Sequence, residues 1–207
     1  MKKNFSFFLF LAFALTLSAQ KTVDAKYLKG AVPLRNGYVI FERTFEVPGK
    51  SRAELYKSLF DYVQQTLVDS ENALPQARVT EADADEGLVV ASIEEYLYFA
   101  KRALVTHRVR FYYQLIAQAF DGKVSLEMRR LHYLYEAEES PNGQEQDYRA
   151  EQWITDAEAL NKAGTKMLRV PGKFRRFTID RKDEIFDGAA RACGLKIKTK
   201  KLVEVEE

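Results

Sequence analysis

Gly49-Lys50-Ser51 follows an apolar strand pattern and precedes a helical one, which is the local order of a phosphate-binding loop. Such a loop also needs a glycine five residues before the Gly-Lys pair, so that backbone N–H groups can cradle phosphate. That position is Thr44, inside the strand pattern. Ser51 and Glu54 instead have the spacing of a capping box, in which two side chains satisfy orphan N–H groups at a helix start. Leu55, Leu59, Tyr62, Val63 and Leu67 then recur at helical spacing. The segment reads as a capped helix, and no nucleotide site is expected there.

Other reactive residues are sparse. His107 and His132 are the two histidines and Cys193 is the single cysteine, so a zinc site would need both histidines with carboxylates. His107 shares the strand parity of Val105 and Val109, as a core or rim histidine would. Asp83, Asp85 and Glu94 have calcium-loop spacing, but Gly87 and Leu88 occupy the fifth and sixth positions, where a ligand and a turn glycine are required. Cys193, between Ala192 and Gly194, reads as a small buried residue rather than a nucleophile for His107. Neither Gly-x-Ser-x-Gly nor His-Glu-x-x-His occurs. These residues give no reason to expect catalysis, a cofactor or a metal.

Two polar features resist a bland account. Arg43 and Glu95 each fall on the apolar parity of a strand. If their strands are close they would form an inward ion pair, or a polar anchor in a ligand pocket. Residues 172–182, GKFRRFTIDRK, interleave Lys173, Arg175 and Arg176 with Phe174 and Phe177. As a loop this segment could hold phosphates or anionic glycolipid, though Asp180, Asp183 and Glu184 dilute its charge. The candidate contact residues are thus Arg43, Glu95, His107, Lys173, Arg175 and Arg176. Tyr96, Tyr98, Tyr112, Tyr113, Tyr133 and Tyr135 would supply either an aromatic platform on an open sheet face or ordinary cross-strand pairs.

The elements that position these residues follow from periodicity. Residues 1–19 carry Lys2 and Lys3, an apolar run from Phe5 to Leu17 and small residues before Gln20, the pattern of a secretory signal peptide. Cleavage near Ala19 would leave no transmembrane anchor and a periplasmic or extracellular chain. Lys2 and Lys3 account for the whole formal charge of +2, so the remainder is neutral and no nucleic-acid partner is expected. Residues 20–36 read as an extended lead-in, 37–193 as one domain, and 194–207 as a charged, mobile tail. Strands are expected over 38–47, 76–82, 88–99, 104–120 and 123–135. Val124, Leu126 and Met128 change parity to Leu131, Tyr133 and Tyr135, which requires a bulge near Arg129-Arg130. Residues 138–147 read as a polar loop, with helices over 149–163 and 180–192. The fold class is α+β: a curved antiparallel sheet in β-α-β-β-β-β-α order with helices on one face, or alternatively a helix-grip barrel around a cavity.

The stretches KGAVPLRNGYVIFERTFEVPGKSRAELY, FDGKVSLEM and WITDAEALNKAGTKMLRVPGKFRRFTIDRKDEIFDG resemble a secreted family of domains of unknown function with a TATA-binding-protein-like (TBP-like) fold, common in Bacteroidetes. The resemblance spans roughly residues 27–192, with 153–188 its most specific part. It implies the first architecture and a cell-envelope setting, and no activity or site residue. Fold does not carry function. The expectation is an exported, non-catalytic binding module whose partner is an envelope protein, a glycan or an amphiphilic ligand. A carrier with a pocket between sheet and C-terminal helix, and a hydrolase using His107 or His132, are the alternatives.

Overall fold

The computed structural model describes residues 24–102, 105–138, 140 and 142–197. The expected signal peptide over 1–19 and residues 198–207 of the expected tail lie outside the described residues.

The chain enters through a short hairpin, β1 (Leu34–Arg35) and β2 (Tyr38–Val39), turned by Asn36 and Gly37, both at positive φ. Asn-Gly tolerates that backbone and is the strongest short hairpin signal. β3 (Phe41–Glu46) leads to α1 (Arg52–Tyr62), which ends in a π-helical turn over Val63–Val68. The capping box is present: Ser51 N–H donates to Glu54 Oε2 at 2.8 Å, and Glu54 N–H reaches Ser51 Oγ at 3.4 Å. Four strands follow, β4 (Arg78–Asp83), β5 (Leu88–Arg102), β6 (Val105–Phe120) and β7 (Lys123–Tyr135). The chain closes with β8 (Gln146–Arg149), the single-turn α2 (Asp156–Ala159) and α3 (Pro171–Ala192).

The main sheet is antiparallel, in the order β3-β7-β6-β5-β4, with β8 pairing β7 beyond the end of β3. Its outer strands do not pair with each other, so the sheet is open and the helix-grip barrel is excluded. The parity change in β7 is resolved where expected. Tyr112 faces His132 but Gln114 faces Arg129, so β7 carries one extra residue. Arg130 takes φ 56° there, and Leu131, Tyr133 and Tyr135 return to the buried face.

That buried face packs against α1 and α3. Phe99, Phe111, Tyr133, Phe174 and Phe186 fill the space beneath α3, with Phe174 in ring contact with Phe99, Tyr133 and Tyr135. A carrier pocket between sheet and helix would need that space. Two surface depressions among the described residues lie elsewhere.

Three expectations fail. The helix over 149–163 is instead β8, a 3-10 turn at Ala150–Gln152 and one turn of α2. Part of the expected 138–147 loop joins β8, because the distal half of β7 offers a free edge. The last helix begins at Pro171, so 172–182 is not a loop. Proline suits the first helical position, where its missing N–H has no intrahelical partner to lose. The domain also extends back past residue 37, since Lys26 and Tyr27 both bond Asp180 of α3.

Candidate functional site

The helix-covered face holds most of the residues singled out above. Arg43 and Glu95 do not pair, because β7 and β6 stand between β3 and β5. Each engages α3 instead. Glu95, 2 % exposed, receives a bidentate pair from Arg181 at 2.8 and 2.7 Å, and a third bond from the Tyr113 hydroxyl at 3.1 Å. Burial disfavours the Arg181 charge, but Glu95 outweighs it and holds the guanidinium pKa well above its ordinary value. Tyr113 is pushed up, first by burial and then by the Glu95 charge. Arg43 pairs with Asp187 and, at 3.4 Å, with Asp183.

Arg175 is fully buried and structural. Its guanidinium donates to the carbonyls of Tyr27 (2.7 Å), Leu28 (2.6 Å) and Ile154 (2.8 Å), and to Asp156 (2.6 Å). It ties the entry segment and the α2 turn to α3, which removes it from any ligand-binding patch. Lys173 lies half-buried with Nζ 5.7 Å from the Phe99 ring, and Arg176 lies over Phe177. The basic-aromatic run is thereby dispersed around a helix. His107 sits on the same inner face, with Nε2 2.7 Å from the Tyr135 hydroxyl and its ring against Phe99. Cys193 is buried, and burial pushes its thiol up to about 11.

Among the described residues, the other face of the sheet is covered by no helix. It presents Tyr96 and Tyr98 from β5, Arg108, Arg110, Tyr112 and Gln114 from β6, and Arg129 and His132 from β7, all half-exposed. Arg110 pairs with Glu94 and, at 3.7 Å, with Glu136. Arg108 lies 3.8 Å over the Tyr96 ring, and Tyr112 stacks on His132 at 4.2 Å. The Tyr112 hydroxyl is raised, first by burial and then by its bond to Glu94. A depression of about 180 Å³ opens here, lined by Ser92, Ile93, Tyr112, Tyr113, Gln114, Arg130 and His132.

His107 and His132 therefore lie on opposite faces and cannot share a zinc ion or an active site. Among the described residues no three His, Cys, Asp or Glu side chains are grouped to hold a metal. Sequence reasoning missed Arg181 as the partner of Glu95. Its signal was the spacing Phe174, Thr178, Arg181, Ile185 on one helical face, legible once the helix is started at Pro171. Arg130 was read only as a bulge position.

The profile of a domain of unknown function (DUF4468) with TBP-like fold matches residues 41–134. The stretch 153–188, expected to be most specific, lies outside that match. A crystal structure of a DUF4468 family protein from Bacteroides ovatus is 34 % identical, covers 85 % of this chain and 98 % of its own, and superposes with a TM-score of 0.75. A TBP-like protein from Parabacteroides distasonis shares the fold at 18 % identity and a TM-score of 0.64, covering 78 % of this chain and 96 % of its own. No curated protein matches. By its likeness to the Bacteroides ovatus protein across nearly all of that chain, this chain belongs to the DUF4468 family, with a TBP-like fold.

Proposed function

We propose that the protein is an exported, non-catalytic binding module of the cell envelope, and that the helix-free sheet face is its binding face. The observation that carries this reading is the contrast in how polar groups are used. On the covered face Glu95 and Arg175 are saturated by internal partners. On the open face, tyrosine and histidine rings alternate with arginines at half exposure across three long strands. Aromatic rings beside arginines give contact area and directed donors together, the composition of a recognition surface. The signal-like residues 1–19 support export.

A photo-crosslinking residue placed at Tyr98, on the open face, and at Lys57, on α1, tests the reading in the native cell. An adduct from position 98 and none from 57, on a chain whose mass lacks residues 1–19, is expected. Adducts from 57 alone, or from neither position, would overturn the binding face. Turnover in a hydrolase panel that His107→Ala or His132→Ala abolishes would overturn the non-catalytic assignment.

A further inference from the structure

Arg130 combines features that its bulge does not require. It sits in the left-handed region at φ 56°, where a residue with a Cβ is uncommon and where glycine or asparagine would serve the bulge better. It is exposed and makes no hydrogen bond or ion pair with the described residues, whereas Arg110 and Arg129 nearby are each tied to a carboxylate. Arg130 is among the residues that line the open-face depression, and none of those residues is a carboxylate. The other polar walls are mainly donors. Gln114 Oε1 is occupied by Arg129 Nε at 2.8 Å, which leaves its NH₂ group for a ligand. The Ser92 hydroxyl and the His132 ring stand beside it, and the Tyr112–His132 stack gives an aromatic flank. Its volume of about 180 Å³ falls below the roughly 300–1,000 Å³ of pockets for drug-sized ligands, so it suits a single small unit.

We propose that this depression binds one carboxylate-bearing sugar unit of an envelope glycan, with Arg130 gripping the carboxylate. The assignment rests on the open face being the binding face and names its ligand chemistry. A guanidinium meets a carboxylate through two parallel N–H bonds. Ser92, Gln114 and His132 then meet the ring hydroxyls, and the aromatic flank takes the apolar edge of the ring. Arg130 keeps a backbone conformation uncommon for a residue with a Cβ, and such positions cluster at functional sites.

The test is titration of the mature chain with D-glucuronate, D-glucose and acetate, followed by amide NMR shifts. Glucuronate is expected to give saturable shifts at Gln114, Arg130 and His132, with glucose and acetate each at least tenfold weaker. Arg130→Gly is expected to weaken glucuronate at least tenfold while its Tm stays level or rises, since glycine accepts the backbone without strain. Arg130→Asn, which also tolerates that backbone, guards against a folding defect and has the same expected loss. Absence of saturable glucuronate shifts, equal binding of glucose or acetate, or unchanged affinity in both variants overturns the proposal. If crosslinking from position 98 persists beside such a failure, the sugar assignment falls and the open binding face stands.

Discussion

The two faces of one sheet use charge in opposite ways. The covered face buries Glu95 and Arg175, and each meets several partners at hydrogen-bond distance. The open face keeps its rings and most of its arginines half-exposed, with Arg110 paired to the buried Glu94 and Arg129 to Glu127. A buried charge must be fully paired or the fold pays for it, whereas an exposed pair contributes about 1 kcal/mol or less. Charges under α3 therefore belong to folding, whereas on the opposite face the half-exposed rings and Arg130 are the groups available for recognition.

The largest expected effect is at Arg175. Arg175→Met removes four bonds at once and leaves the Tyr27, Leu28 and Ile154 carbonyls without their donor. Each buried acceptor left unsatisfied costs about 1–3 kcal/mol, so a loss of about 4 kcal/mol is expected in denaturant unfolding. A loss under about 1 kcal/mol would mean that Arg175 is not the clamp between the entry segment and α3.

Next is the Glu95–Arg181 pair. Glu95→Leu leaves the Arg181 guanidinium only its second partner, the exposed Glu184 at 2.8 Å, and is expected to cost about 3 kcal/mol, while Glu95→Leu with Arg181→Met recovers most of it. Additive losses in the double variant would show that the two residues do not act as a pair.

The way these residues were hidden in the sequence follows the same division. Alternation found β5, β6 and β7, and even the bulge, because each is a local pattern of in and out. Sheet order is not local. Arg43 and Glu95 looked like partners because both point inward, and only the intervening β6 and β7 separate them. Pro171-Gly172 looked like a break because both residues disfavour helix interiors, yet at a helix start they fit. Gly172 is also needed there, since a Cβ would come within 2.6 Å of Met167 Cβ. A helix start at 180 instead of Pro171 puts Arg175 on a loop surface instead of in the core.

Burial on the covered face also makes stability fall at alkaline pH. The Cys193 thiol ionises only near about 11 when folded, but near about 8.5 in an unfolded chain. The unfolded state thus releases its proton first, and stability present below about pH 8.5 declines as pH rises toward about 11. Tyr62, Tyr113 and Tyr133, also raised by burial, add to the decline at still higher pH. Cys193→Ala is expected to flatten the fall in Tm across this window. Parallel Tm curves for the two proteins would show that the thiol does not contribute.

The smallest effect is expected where the binding reading needs it. Tyr112 stacks on His132 and bonds Glu94, so it has partners to lose. Cross-strand pairs of this kind contribute about 0.2–1 kcal/mol. Tyr112→Ser should then lower stability by under about 1 kcal/mol, several times less than Glu95→Leu on the other side of the same sheet. If it cost as much, the stack would be a second core and the division between the faces would fail. If the cost is small and the adduct formed from position 98 weakens, then Tyr112 serves the partner more than the fold, because a residue that folding hardly needs is changing what the face can hold.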